Sequence, residues 1–548
     1  MKLRFAFVII LFINFLFSAT AQESMTASQW QEDLRFLQST VHKDYPFLFD
    51  KVTASDFDAE VEKLYAEIPS LEPQELPVAF ARIVSLFEYG HTQLPFSTLA
   101  KDHVLPINLY WFTDGVFIEG AHKTYENTVG AKVLEIEGVP IEKVFEMIRP
   151  VVPVENDQYF KAYGIKFATA PSVLHAQRVM PKFKTTVTLT LEKEGRQFTQ
   201  EIASVAYKDI SRDYGWVVPN DTWVSGRDQS KTPLYLKHLQ DKIFYFEYLE
   251  DEKTVYARQS KVRNQEDETL AEFYKRLFEF IDTHEVEKLI YDVRLNGGGN
   301  NFLNKPLITG VIETKKINQR GKFFVITGRN TFSACQNLVN RLDNYTNVIF
   351  VGEATSENIN FYGDARRVTL PNSKLNTYLS WAWWQDKAPW ENGEWMAPHI
   401  AVSMTSTDYF TNQDPTLAAA LNYTDDGFIL DPMQHLTDLF VNQKYEQVKI
   451  DATQIAKDPR YVYYNFQEDF SKAGNRLLMG GNTEGGIFVL DLLVELYPDS
   501  IGDWYSLGNA YEGIENREKA IACYQKVLEI DPKGTLSNTV KQKLKNLE

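Results

Sequence analysis

The 548-residue chain is poor in cysteine, with Cys335 and Cys523 as its only two. Two isolated cysteines build no disulfide framework, and neither stands with histidines at metal-ligand spacing, so no metal and no cofactor are expected. Basic residues are outnumbered, 57 Lys and Arg against 74 Asp and Glu, for a net charge of −17. Such a balance lacks the electrostatic footprint of a nucleic-acid binder. Long apolar runs are also missing. The apolar run at the start, Phe5 to Phe17, has 13 residues, whereas a helix crossing a bilayer needs about 20. With Lys2 and Arg4 before it and Ala19-Thr20-Ala21 after it, the run reads as a signal peptide over residues 1–21. The mature chain is then expected to begin near Gln22, without a membrane span, in a periplasm or outside the cell. Hydrophobic residues at 44% and aromatics at 14% fit a folded chain, and the length predicts several domains.

What is present centres on residues 288–364. Leu289-Ile290-Tyr291-Asp292-Val293 is an apolar strand that runs into Gly297-Gly298-Gly299. A second, Phe323-Phe324-Val325-Ile326-Thr327, breaks at Gly328 and leads through Thr331-Phe332-Ser333 into a helical pattern, and a third, Val348 to Val351, ends in Gly352-Glu353-Ala354-Thr355. Apolar runs of this length between glycine turns predict a mostly parallel sheet covered on both faces, with chemistry beyond the carboxyl ends of its strands. Ser333 opens the helix, since Ala334, Leu338 and Leu342 recur at helical spacing. A serine there caps a helix, or presents a hydroxyl beside free N–H groups that favour an oxyanion. The glycine run supports the second reading, because only glycine lets a carbonyl approach the backbone N–H groups closely. Gly298 or Gly299 then supplies one donor and Ala334 the other. A phosphate cradle would want Gly-Lys-Ser/Thr where Asn300-Asn301 stands. Cys335 competes as nucleophile but reads more simply as a small buried residue on the helix.

These blocks, Asp292 to Gly299, Thr331 to Cys335 and Val351 to Thr355, resemble the C-terminal-processing (tail-specific) serine peptidases, a family that includes tricorn protease. The resemblance implies a ClpP/crotonase-like α/β catalytic domain acting on polypeptides, with Ser333 as nucleophile and Gly299 in the oxyanion hole, beside the Ala334 donor read above. The tail-processing branch has a lysine base about 25 residues after the serine. Asn358 stands there, and no lysine occurs between Ser333 and Ser373. The tricorn-like branch has a histidine in a Gly-His-Ser/Thr motif, matched here by Gly90-His91-Thr92, and a glutamate near the end of the domain, where Glu391 and Glu394 flank Asn392. His91 is the implied base, and Glu391 or Glu394 the implied carboxylate. The same two glutamates, beside tryptophans 381, 383, 384, 390 and 395, also admit a sugar-binding cleft. The missing lysine leaves a second functional reading, a catalytically silent peptide-binding scaffold of the same fold.

The remaining organisation is a helical segment over 22–100, a β-rich domain over 101–210, the α/β catalytic domain over 211–425 and an all-α region over 426–548. Residues 130–144 resemble the later half of a PDZ domain, and residues 145–180 read as a helical excursion within it. Trp504, Leu507, Gly508, Tyr511, Ala520, Tyr524 and Pro532 form a tetratricopeptide pattern. Its repeats are expected to pack on residues 431–457 or on the catalytic domain, and to offer a surface for a protein partner.

Overall fold

The computed structural model describes residues 25–424 and 428–547; the expected signal peptide lies outside the described residues. Its centre is a set of parallel strands, Lys288–Asp292, Phe323–Thr327 and Ile349–Gly352. Their side chains alternate between two cores. Leu289, Tyr291, Phe323, Val325 and Phe350 pack with the helices Leu270–Thr283, Lys305–Glu313 and Ala334–Tyr345. Ile290, Phe324, Ile326, Ile349 and Val351 face the opposite core, which includes Ala420 of the helix Pro415–Leu421. Burial on both faces is why these strands read as unbroken apolar runs. The sheet has six strands. Thr254–Gln259 joins in parallel beside Lys288–Asp292, antiparallel Phe244–Leu249 closes that edge, and Ile400–Ala401 lies at the other.

The N-terminal segment forms the helices Ala27–Asp44, Ala54–Glu67 and Glu75–Ser85, the first two capped by Thr26 and Thr53. Their apolar faces do not make a core of their own. Leu34, Phe57 and Phe80 belong to one cluster with Ile118, Val133 and Leu189 of the following sheet, and with Leu370 and Leu379 of the catalytic region. Residue 100 is therefore a change of secondary structure rather than a division between packing units. The expected boundary at 210 also falls short, because Trp223–Ser225 pairs with Gly115–His122 in the first sheet. In that sheet Lys132–Ile136 turns through Val139–Pro140 into the short helix Ile141–Ile148, and a helical excursion precedes the hairpin Thr186–Lys193 and Arg196–Ala203.

The C-terminal region stacks helix pairs, Pro432–Val441 with Tyr445–Lys457, Phe466–Met479 with Thr483–Leu496, and Ile501–Gly513 with Arg517–Ile530, closed by Ser537–Leu547. Leu436, Val448, Phe470, Leu490, Leu507 and Tyr524 share one core, so the repeats bury their faces on residues 432–457. Tyr463 joins this region to the rest: its carbonyl accepts from Trp395 Nε1 at 3.2 Å and its hydroxyl from Gln158 Nε2 at 3.2 Å. Among the described residues, no helix is long and apolar enough to cross a membrane.

One buried carboxylate ties the first helix to the catalytic region. Asp33 accepts from the backbone N–H groups of Asn372 (2.7 Å) and Ser373 (2.8 Å), at the tip of the hairpin Arg366–Thr369 and Asn376–Leu379. Asp33→Ala strands both donors in a buried place. We expect it to lower stability by about 1–3 kcal/mol, read from the urea midpoint; an unchanged midpoint would show that this clamp holds nothing.

Candidate active site

The carboxyl ends of the three central strands bring the glycine run, the Ser333 turn and residues 355–358 to one place. Phe323–Thr327 ends at Gly328, whose N–H donates to Thr331 Oγ1 at 3.1 Å, while Thr331 Oγ1 donates to the Val293 carbonyl at 3.0 Å. Phe332 N–H donates to the Asn296 carbonyl at 3.1 Å. This lacing holds Ser333 at φ +57°, ψ −128°, as the residue before the helix Ala334–Tyr345. A left-handed serine costs about 1–3 kcal/mol and persists only where its surroundings over-determine it. Its hydroxyl does not cap the helix. Instead Ser333 Oγ meets His91 Nε2 at 3.0 Å.

The glycine run lies against this turn. A Cβ on Gly298, at φ +97°, would stand 2.6 Å from Ser333 Cβ and 2.9 Å from Ala334 N. One on Gly299, at φ +143°, would stand 2.2 Å from the Val262 carbonyl oxygen. Both positions therefore require glycine. Gly298 N–H is engaged by Asn296 Oδ1 at 3.0 Å. The N–H groups of Gly299 and Ala334 donate to no acceptor among the described residues.

His91 follows Glu88, which takes φ +52° just past the helix Glu75–Ser85. Its ring stacks on Phe332 at 4.6 Å and lies near-parallel to Phe361 at 6.1 Å, which fixes its plane. Burial lowers its pKa below the ordinary 6.5, so the neutral imidazole prevails at pH 7. Nδ1 lies 3.0 Å from Glu357 Oε1. That approach is off the hydrogen-bonding line, and neither atom has another partner among the described residues. The other oxygen of the same carboxylate, Glu357 Oε2, accepts the Ser333 N–H.

Glu357 is therefore the carboxylate at the imidazole, and the expectation of Glu391 or Glu394 is corrected. Both of those lie on an exposed loop. Glu391 faces Lys387 at 3.5 Å. Glu394 contributes its backbone carbonyl, which accepts from Asn156 Nδ2 at 2.6 Å and Asn358 Nδ2 at 3.0 Å. A second glutamate stands behind the first. Glu155 accepts from Gly90 N–H (2.7 Å) and Asn358 N–H (3.0 Å). Burial, and then the charge of Glu357, push its pKa up to about 7; burial also raises Glu357 well above the carboxylate range. Two buried carboxyls this close share one negative charge rather than carry two. Lys51 offsets part of that charge, with Nζ donating to Asn358 Oδ1 at 2.7 Å and to the Glu88 carbonyl at 2.8 Å.

Sequence reasoning missed both glutamates. Glu357 had a usable signal, an acidic residue just past the end of a central strand, next to the Asn358 position already under scrutiny. Glu155 had none, since it reaches the site from the helical excursion. His91, Glu155 and Glu357 place ligand atoms within 4.8 Å of one another, a separation a divalent cation would accept. Most of those atoms already have protein partners: Ser333 on Nε2, and backbone N–H groups on Glu155 and on Glu357 Oε2. Cys335 and Cys523 are buried and unbridged, and burial raises the Cys335 thiol well above its usual pKa, which leaves it unsuited as a nucleophile.

Comparison with known proteins gives three findings. The tetratricopeptide repeat family matches residues 503–533. No curated protein matches the chain. Solved structures with a related outline include mature CPAF, at 12% identity and TM-score 0.47, covering 74% of this chain and 100% of that one. A putative peptidase from Parabacteroides merdae matches at 14% identity and TM-score 0.35, covering 74% and 100%. The tricorn protease matches at 14% identity and TM-score 0.32, covering 73% and 37%.

The Glu155 pKa sets a pH dependence of stability. An acid whose folded pKa is raised binds more protons folded than unfolded, so stability falls as pH rises from about 4.5 to about 7. Glu155→Gln should flatten that slope, a difference on the order of 3 kcal/mol across the window. The slope is the readout, because the amide keeps only one of the two acceptors. An unchanged slope would place the titration elsewhere.

Proposed function

We propose that this protein is an exported serine peptidase that hydrolyses peptide bonds in polypeptides, with Ser333 and His91 as its nucleophile and base. The observation that carries this reading is the 3.0 Å contact between His91 Nε2 and an Oγ held on a left-handed turn beside two free backbone N–H groups. A serine that merely capped its helix would have no reason to adopt that conformation.

The chemistry follows from the atoms present. Neutral His91 accepts the Ser333 hydroxyl proton on Nε2 as Oγ bonds to the substrate carbonyl carbon. The carbonyl π electrons move to oxygen, and the N–H groups of Gly299 and Ala334 receive that oxyanion, a contribution of about 3–4 kcal/mol per donor. Glu357, supported by Glu155, stabilises the imidazolium. His91 then returns the proton to the leaving amine as the carbon–nitrogen bond breaks. Water, deprotonated by the same imidazole, releases the acyl group and restores Ser333. Asn358 takes no proton; it accepts from Lys51 and so sits between that lysine and the carboxylates. The signal-peptide pattern supports export, the helix pairs of the C-terminal region support a protein-binding surface, and the fold of residues 104–205 supports a PDZ-like module.

Ser333→Ala and His91→Ala should each lower turnover of an unfolded protein substrate by about 10⁴-fold or more, and the double variant should be no worse than either, because the two act as one unit. Glu357→Gln should cost about 10²–10⁴-fold. Asn358→Ala should cost far less. A fluorophosphonate probe should label Ser333 in the parent and in neither alanine variant. Failure of the parent to label or to cleave would leave the fold as a silent peptide-binding scaffold.

A further inference from the structure

A cavity of about 480 Å³ opens beside the Ser333 turn, with Gly297, Gly298 and Gly299 forming one wall. On a chain of net charge −17, its walls are positive: Lys161, Lys166, Arg212, Lys261 and Arg329 line it, against Asp213 alone. Arg329 is neutralised, since its Nε donates to Glu353 Oε2 at 2.8 Å. The others are not. Among the described residues, Lys161, Lys166, Arg212 and Lys261 form no ion pair with a carboxylate. Lys161 Nζ rests 5.6 Å from the Trp111 ring, Lys166 Nζ 5.3 Å from the Phe96 ring and Lys261 Nζ 4.6 Å from the Tyr214 ring. Arg212 Nη1 donates to Asn108 Oδ1 at 3.1 Å, and Asn108 Nδ2 in turn donates to Glu119 Oε2 at 2.9 Å; the Tyr207 hydroxyl and the more distant Glu119 charge support the guanidinium without a direct ion pair. Asp213 turns one oxygen back onto the Tyr214 N–H at 2.9 Å.

Buried or half-buried cations without a counter-charge are costly, and proteins retain them where a ligand supplies the opposite sign. The strain is visible in the side chains themselves. Burial, and after it the charge of Arg212, lowers the Lys166 ammonium to about 7, and burial lowers Arg212 as well. An ion-pair network serving only the fold would shift these groups the other way, as Glu353 does for Arg329.

We propose that this cavity binds an acidic side chain of the polypeptide substrate near the scissile bond, with Lys166 and Arg212 as its principal partners. The inference rests on the peptidase reading for its substrate class, and the glycine wall places the bound carboxylate next to the residues that would receive the oxyanion. Charge-assisted hydrogen bonds from a lysine and an arginine select strongly for an anion over its amide. The pair therefore sets specificity and does not take part in the bond-breaking step.

The test measures binding without catalysis. Full-length Ser333→Ala protein is titrated calorimetrically at low salt with three pentapeptides: one blocked at both ends with a central glutamate, the same peptide with glutamine, and the glutamine peptide with a free C-terminal carboxylate. The glutamate peptide should bind about tenfold or more tightly than the blocked glutamine peptide. An advantage confined to the free-carboxylate peptide would overturn the proposal. The advantage should vanish when Lys166→Gln or Arg212→Gln is added. Equal affinity for all three peptides, or an advantage that survives both substitutions, would overturn the proposal. Fluorophosphonate labelling of the parent protein, with Ser333 intact, tests the peptidase reading separately. Loss of labelling in the parent would count against the peptidase reading and leave the binding result standing on its own.

Discussion

One buried carboxylate sets the geometry of this site. Glu357 takes the N–H of Ser333 on one oxygen and places the other 3.0 Å from Nδ1 of His91. It thus ties the nucleophile's left-handed backbone to the charge beside the base, whose ring plane is fixed by Phe332 and Phe361. The two residues it joins are 242 positions apart in sequence. Such a join needs rigid support on both sides. The serine side has it from a sheet buried on both faces. The histidine side has it from a core that the N-terminal helices share with the first sheet and with the hairpin around Leu370 and Leu379. The Asp33 clamp on Asn372 and Ser373 is where that support becomes a specific contact.

The electrostatics follow from the same burial. A lone carboxylate in that position would be costly, and a second one, Glu155, raises the cost further. Backbone N–H groups of Gly90 and Asn358 and the charge of Lys51 lower it. Lys51 arrives from the N-terminal segment and serves the carboxylates, not the serine. On the other side of the glycine run the sign reverses, and the cavity walls are positive. The reacting carbonyl would therefore sit between a shared negative charge behind the imidazole and a positive surface on the substrate side.

The sequence disclosed these features unevenly, for physical reasons. The central strands were legible because burial on both faces leaves continuous apolar runs. Ser333 and the glycine run were legible because special backbone conformations restrict residue type. The repeat pattern from Trp504 to Pro532 was legible because packing recurs at a fixed period. His91 emerged only through its motif, since nothing local marks a histidine that acts far away in the chain. Glu391 and Glu394 were misplaced because a loop of acidic residues and tryptophans looks like a site, whereas those glutamates face solvent or Lys387. Glu155 was invisible because its role depends on a contact with Gly90 that is purely tertiary. The domain divisions near 100 and 210 suffered for the same reason, as shared cores and strand pairing across a boundary leave no local trace.

The central claim is that a half-buried, neutral His91 activates Ser333, and the rate of Ser333 acylation by a fluorophosphonate as a function of pH tests it most directly. The account predicts a rate that rises as His91 loses its proton, with a midpoint below 6.5, the ordinary histidine value, and that climbs no further at alkaline pH. A rate that continues to climb toward about pH 10, as a lysine base or an unassisted serine would give, or a profile that is unchanged in His91→Ala, would contradict it.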